Sequence, residues 1–121
     1  MLNSIAITGR LTKDPDLKTT QSGSSVCLFS IACERDAKNA EGQRDTDFID
    51  CVAWKDTAEI VHKTFKKGDG VSVIGRLQTR SYETHDGKRA KAVEIKAERV
   101  YFQLNRPTIV QPTGEDEELP F

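Results

Sequence analysis

The sequence predicts a mostly β protein, a small closed barrel with one helix between its third and fourth strands. Apolar and polar residues alternate with a period of two in five separate segments, as expected of strands that are buried on one side. One further stretch has apolar residues at helical spacing. Clusters of Gly, Ser, Thr, Asp and Pro lie between the segments and indicate turns.

The first three strands are predicted from this alternation and from the breaks between the segments. They span residues 2–11, 26–33 and 47–54. Asp14-Pro15-Asp16 interrupts the pattern after strand one, and the polar stretch at 19–25 indicates a turn before strand two. A charged loop around Gly42 precedes strand three. Within strand three the alternation places Phe48 and Trp54 on the same face.

The helix is predicted from a start signal, an apolar face and a stop signal. Asp56 is a candidate N-cap, and Glu59 three residues later completes a capping-box pattern. Gly68, after two lysines, is a candidate terminator. Three apolar residues share the face that would pack on the barrel: Ala58, Val61 and Phe65.

Two long strands follow at 71–82 and 91–104, joined by a hairpin signal at 85–88. The apolar parity of the last strand changes along its length, which predicts a bulge near Glu98 or Arg99. Strand four is expected to direct one parity into the core: Val71, Val73, Gly75 and Leu77. Three strands, one helix and two strands is the order of the OB-fold, a five-stranded Greek-key barrel. A generic small β-barrel with another role is the alternative.

The charge pattern divides the chain in two. Up to Arg106 the chain has 18 basic and 15 acidic residues, a net charge of +3. From Pro107 onward it has no basic and four acidic residues, a net charge of −4, so the whole chain has a net charge of −1. We therefore expect a mildly basic OB-fold domain at 1–105, whose charge could favour a polyanion, followed at 106–121 by a short linker and a disordered acidic tip. An acidic run is usually only a solvated tail. The apolar residues that close this one favour a peptide bound by a basic, apolar pocket on another protein. Its candidate partner-binding residues are Asp116, Glu117, Glu118, Leu119, Pro120 and Phe121.

The composition argues against several other classes of protein. No apolar run approaches the roughly 18 residues of a transmembrane helix, and the first residues lack the features of a signal peptide. Three cysteines without CxxC spacing lie in strand-like segments, which indicates buried thiols in a reducing compartment rather than disulfides or zinc ligands. We find no catalytic set, nucleotide-binding motif or metal-ligand cluster. We therefore expect a cytoplasmic protein that is not an enzyme and needs no cofactor.

Aromatic and cationic side chains are predicted to share the exposed face of the barrel. Phe48 and Trp54 lie on one face of strand three, and the outward parity of strand four carries Arg76, Arg80 and Tyr82. A flexible single strand requires cations for its phosphates and flat rings for its bases. Arginine can serve both purposes. No element is apparent that would enter the groove of a duplex.

We therefore predict a single-stranded DNA-binding surface rather than an ordinary exposed face with arginines, which is the alternative. Further cations on strands and loops extend its path. The expected DNA-binding residues are Phe48, Trp54, Tyr82, Arg10, Arg35, Lys55, Arg76, Arg80, Lys88 and Arg89.

These residues resemble the bacterial single-stranded DNA-binding protein family. The resemblance is carried by Asn3–Pro15 (NSIAITGRLTKDP), Lys66-Lys67-Gly68 and Gly75–Tyr82 (GRLQTRSY), and by the acidic tip. It implies an OB-fold homotetramer that wraps single-stranded DNA and a tip that recruits replication, recombination and repair proteins. By position, three residues correspond to base-stacking aromatics of the family: Phe48, Trp54 and Tyr82.

Two departures from the family pattern matter. The family often has a further stacking aromatic after strand two, whereas residues 34–37 offer Arg35 as the substitute. The linker has only about ten residues, so the tip reaches at most about 35 Å from the barrel.

Two functions remain open: a sequence-tolerant single-stranded DNA binder with a recruiting tail, and an OB-fold adaptor that binds only proteins. Base stacking separates them, because only the first requires the three aromatics to be exposed together.

Overall fold

The computed structural model describes residues 1–103, and within this range it forms six strands and one helix. The elements are β1 (Ile5–Leu11), β2 (Asp16–Thr19), β3 (Ser25–Lys38), β4 (Arg44–Trp54), α1 (Lys55–Thr64), β5 (Gly70–Glu83) and β6 (Arg89–Phe102). The predicted linker and tip at 106–121, and Leu104 of the predicted last strand, lie outside the described residues.

Five of these strands close into a barrel, which confirms the predicted OB-fold. Their order around the barrel is β1-β3-β4-β6-β5 and back to β1. β1 pairs with β5 along most of its length and bends onto β3 at Arg10 and Leu11, which closes the ring. The pairing of β4 with β6 is parallel, and the other pairs are antiparallel. This one parallel contact follows from the crossover that α1 makes between β4 and β5.

The inward side chains of the barrel form an apolar core that α1 covers at one end. Period-two alternation buries the inward residues, including Ile31 and Ile95, which have no exposed surface. The predicted apolar face of the helix is confirmed, since Ala58, Val61 and Phe65 are all buried in this core.

The predicted capping box of α1 is wrong. The helix begins at Lys55, and its N-cap is Trp54, two residues before the predicted Asp56. Trp54 has an extended backbone and makes no side-chain cap hydrogen bond. Lys55 has a φ of 56°, a left-handed conformation that turns the chain from β4 into the helix. Glu59 instead accepts a hydrogen bond from the Ser25 hydroxyl at 2.8 Å. The helix also ends at Thr64, before Gly68.

One short strand was not expected from the sequence. β2 pairs with the first part of β3, and residues 20–24 form the turn between them. The strand has only four residues and directly follows Pro15, so its alternation is too short to be recognised. It lies at the edge of the sheet, beside β3.

The hairpin of β5 and β6 extends beyond the barrel, which corrects the expected burial of Leu77. This side chain is 45% exposed, and Val93 is exposed as well, because that part of the hairpin has left the core. The predicted bulge is confirmed at Glu98: Ile74 pairs with Arg99 and Gly75 with Ala97, so Glu98 has no partner. No helix among the described residues is long and apolar enough to span a bilayer.

Candidate nucleic-acid interface

The outer surface of β4 presents the two predicted aromatics to solvent. Alternation along the strand points Cys51 and Ala53 into the core and Phe48 and Trp54 outward. Phe48 is 70% exposed and Trp54 is 37% exposed. Val52 lies between them on the same face but is buried. β4 therefore holds two rings on one surface, with five residues between them in the strand.

Strand register extends this surface across four strands. Arg76, Gln78, Arg80 and Tyr82 of β5 face Lys96, Glu94, Ala92 and Ala90 of β6. The parallel contact of Val52 with Lys96 continues the surface to β4, and Leu28 of β3 lies opposite Val52. Side chains of all four strands line one groove, among them Ser30, Asp50, Arg80 and Glu94. We call this outer surface of β3, β4, β6 and β5 the aromatic face, because it carries Phe48, Trp54 and Tyr82.

Tyr82 is 44% exposed and is the third accessible ring of the aromatic face. Tyr82 lies near the end of β5, on the extended hairpin rather than on the barrel. The guanidinium carbon of Arg80 lies 5.8 Å from the centre of this ring, within the range of a cation–π contact. The ring and the cation are thus placed side by side.

Arg10 joins the aromatic face through a small residue. Arg10 of β1 pairs with Ala32 of β3, and Ala32 pairs with Phe48 of β4, so the three residues form one row across the strands. Two strand spacings of about 4.8 Å separate the backbones of Arg10 and Phe48. The Nη1 of Arg10 donates to the carbonyl of Gly68 at 3.0 Å, which orients the guanidinium.

Arg35 is paired with a carboxylate. Its Nε and Nη2 donate to the two carboxylate oxygens of Asp47 at 3.0 and 2.9 Å. This hydrogen bonding holds the pKa of Asp47 below its ordinary value and raises the pKa of Arg35. Both side chains are exposed. The pair offers a planar guanidinium where the sequence lacked an aromatic, but with its charge largely compensated.

Lys55 and Arg76 are exposed cations on or beside the aromatic face. Lys55 directly follows Trp54 and has a left-handed backbone conformation. Arg76 lies directly opposite Lys96 on the aromatic face. Two like charges opposite each other in an antiparallel pair repel. The arrangement is therefore favourable for a bound anion.

Lys88 and Arg89, the remaining predicted DNA-binding cations, lie off the aromatic face. Arg89 pairs with Glu83, while the neighbouring pair is Tyr82 with Ala90. Successive side chains of a strand point to opposite sides, so Arg89 lies on the other side of the hairpin from Tyr82. Lys88 is exposed in the turn, where its carbonyl accepts a hydrogen bond from the Thr84 amide at 2.8 Å.

Three cations at this surface were not selected from the sequence. Lys13 and Lys18 line the same groove as Arg80, and Lys96 faces Arg76. Lys96 could have been predicted from the sequence, because the alternation of the last predicted strand places it on the same outward side as Glu94. Lys13 and Lys18 are brought to the groove by β2 and the segment before it, which the sequence pattern did not reveal. Lys18 also pairs with Asp16 at 3.6 Å.

No group of three or more potential metal-ligating side chains occurs among residues 1–103. The chemistry of the aromatic face consists of exposed rings, guanidinium and ammonium groups, and a few carboxylates. Such a surface can stack planar groups and pair with anions.

The chain is similar in sequence to a known protein family and to named proteins of other bacteria. The sequence model of the Single-strand binding protein family matches residues 2–103. The chain is 48% identical over 102 residues to "Single-stranded DNA-binding protein 2" of Listeria monocytogenes, covering 84% of this chain and 64% of that protein. It is 49% identical to "Single-stranded DNA-binding protein" of Bacillus cereus, with 84% and 60% covered. It is 47% identical to "Single-stranded DNA-binding protein A" of Bacillus subtilis, with 84% and 59% covered. The matched region thus spans less than two thirds of the length of these relatives.

Proposed function

Because the chain belongs to the Single-strand binding protein family, we propose that it binds single-stranded DNA with little regard to sequence. In this role it coats and protects single strands during replication, recombination or repair. The observation that carries the proposal is the aromatic face, on which three exposed rings lie among cations. The relatives carry names that state the same binding activity. A location at the bacterial nucleoid in the cytoplasm follows from such binding.

In the proposed mechanism, the aromatic rings bind the bases and the cations bind the phosphates. Bases stack on Phe48, Trp54 and Tyr82, and each stacked base contributes about 1–3 kcal/mol. Every base has a π-face, so such contacts tolerate any sequence. Phosphates pair with Arg10, Arg35, Lys55, Arg76 and Arg80, whereas Lys88 and Arg89 contact phosphates where the strand leaves the aromatic face around the hairpin.

The like-charged pair on the hairpin supports this division. Arg76 and Lys96 are exposed and lie directly opposite each other, so each raises the energy of the other in the free protein. A phosphate between them would relieve the repulsion. Binding would also release counterions from the DNA, so the affinity should fall as salt rises.

Self-association is the second part of the proposal, and the free edge of β1 supports it. β1 pairs with β5 from Ile5 to Arg10, but with β3 only at Arg10 and Leu11. Within the described residues, Ile5 to Gly9 therefore have one ladder edge without a partner. We propose that copies of the chain assemble along this edge into a homotetramer. Light scattering should then give about four times the chain mass of 13.5 kDa, whereas the mass of a monomer at micromolar concentration would contradict the assembly.

Partner recruitment is the third part, and it rests on the sequence alone. We propose that 1–105 is the DNA-binding domain and that 106–121 is a linker and protein-interaction tip. Removing 115–121 should leave DNA binding unchanged or tighter, since four carboxylates no longer compete with phosphates. The truncated protein should also lose its partners in replication, recombination and repair, with Phe121→Ala causing most of that loss. Retained partners together with weaker DNA binding would reverse this assignment.

The test of the main proposal is a direct binding measurement. Fluorescence anisotropy of labelled oligo(dT) of several lengths should show saturable binding, and unlabelled single strands of mixed sequence should compete. Duplex DNA of the same length should compete far less. Absence of oligo(dT) binding at low salt would refute the proposal and favour the OB-fold adaptor.

A further inference from the structure

Glu94 is the least exposed ionisable group of the aromatic face. It lies on β6, and its side chain is only 11% exposed. Its Oε1 accepts a hydrogen bond from Nε of Arg80 at 3.2 Å, and its Oε2 accepts one from Nε2 of Gln78 at 3.1 Å. A carboxylate withdrawn from water needs such partners, because an unpaired buried charge is strongly unfavourable.

The contact with Glu94 uses only one edge of the Arg80 guanidinium. Nε is occupied, and within residues 1–103 the two Nη nitrogens of Arg80 make no hydrogen bond. The Arg80 side chain is 60% exposed, so these nitrogens are accessible to solvent. A guanidinium has five N–H donors in a rigid fork, so one carboxylate oxygen at Nε leaves four for another anion.

The ring of Tyr82 limits the remaining freedom of Arg80. The guanidinium carbon lies 5.8 Å from the ring centre, and both residues belong to the same face of β5. Arg80 is therefore held by Glu94 at its inner edge and by Tyr82 at its side. Arg35 differs, because Asp47 occupies both its Nε and its Nη2.

We propose that Glu94 is a positioning residue that holds Arg80 in the orientation in which its Nη groups bind a phosphate of single-stranded DNA. The inference rests on the proposed function, since it assigns a role within the same surface. A flexible arginine loses side-chain entropy when it binds, and prior anchoring reduces that loss.

Simple electrostatics makes the opposite prediction, which is what makes the inference testable. A carboxylate on a DNA-binding surface repels phosphates, so its removal should tighten binding if charge were its only effect. If Glu94 positions Arg80, its removal should weaken binding despite the more positive surface. The sign of the change in affinity therefore distinguishes the two roles.

The experiment compares three variants in anisotropy titrations with oligo(dT). Glu94→Ala removes the anchor, and we expect about tenfold weaker binding, near the lower end for a lost hydrogen bond to a charged group. The slope of log K against log salt should shrink by about 0.7, as for one lost phosphate contact with a single strand. Glu94→Gln keeps an oxygen that accepts from Arg80 and removes the charge, so binding should equal or exceed that of the wild type. Asp50→Ala is the matched control: Asp50 lines the same groove, level with Glu94 on the neighbouring strand, and its removal should not weaken binding.

A double mutant tests whether Glu94 acts through Arg80. In an Arg80→Ala background, Glu94→Ala should cause no further loss of affinity. A Glu94→Ala protein that binds as tightly as the wild type, or that loses as much without Arg80 as with it, would overturn the inference.

A measurement without DNA separates this inference from the proposed function and from misfolding. In NMR spectra of the free wild-type protein, the Nε–H of Arg80 should exchange slowly with water, and Glu94→Gln should preserve a slowly exchanging signal. Rapid exchange in the wild type would refute the anchor. Failure of the wild type to bind oligo(dT) would instead refute the proposed function, while normal binding with an unaffected Glu94→Ala refutes only the role of Glu94.

Discussion

Truncation of Phe48 should separate DNA binding from folding more cleanly than any other change on the aromatic face. Phe48 is 70% exposed, so folding buries less than a third of its side chain. Full burial of a phenylalanine contributes about 1.5–3 kcal/mol, so Phe48→Ala should lower the free energy of unfolding by less than about 1 kcal/mol. Loss of one stacked base should lower the free energy of DNA binding by about 1–3 kcal/mol. That range corresponds to a roughly 5- to 150-fold weaker affinity.

The assay for Phe48→Ala pairs a urea titration with an oligo(dT) titration followed by anisotropy. Tyr101→Ala is the matched control, since Tyr101 is an exposed aromatic that lies opposite Ser72, beyond the bulge at Glu98, and does not line the groove of the aromatic face. The control should keep the wild-type affinity. If Phe48→Ala binds like the wild type, or loses affinity only in proportion to its loss of folded protein, the stacking role of Phe48 is refuted.

Three other predictions follow from the fold and the charges. Arg76→Ala should reduce the log–log salt slope of oligo(dT) binding by about 0.7, and an unchanged slope would show that this residue does not contact phosphate. Gly75→Ala should destabilise the barrel by about 1–3 kcal/mol in urea unfolding, because the added Cβ would clash with the backbone carbonyl oxygen of Lys96; wild-type stability would contradict this packing. Burial raises the pKa of Cys27 to about 11 and that of Cys51 to about 12. Both should therefore resist alkylation at pH 8 until urea unfolds the protein, and mass spectrometry of labelled peptides would reveal any earlier reaction.

The sequence predicted the barrel well because the period-two pattern is strong in its five main strands. The bulge at Glu98 was predicted for the same reason, since an extra residue shifts the apolar parity. The pattern does not show where a strand leaves the barrel, so the exposure of Leu77 was missed. β2 has too few residues to establish a period. The capping box failed because Lys55 adopts a left-handed backbone that starts the helix before Asp56.

The exposure of the aromatic candidate residues was predictable from residue type and parity, but the partners of the candidate cations were not. Phe48 and Trp54 were placed on an exposed face from alternation alone, and the structure agrees. The ion pairs of Arg35 and Arg80 depend on register between strands, which the sequence does not specify. The same holds for Arg89, whose side of the hairpin is decided by its pairing with Glu83.

The intrinsic fluorescence of Trp54 tests the central claim most directly, because it is the only tryptophan of the chain and lies on the aromatic face. If bases stack on this indole, titration with oligo(dT) should quench the emission strongly and reach saturation at the stoichiometry seen by anisotropy. Duplex DNA should cause far less quenching. Unchanged emission at saturating oligo(dT), with binding established by anisotropy, would show that single-stranded DNA does not stack on the aromatic face at Trp54 and would contradict the proposed binding mode.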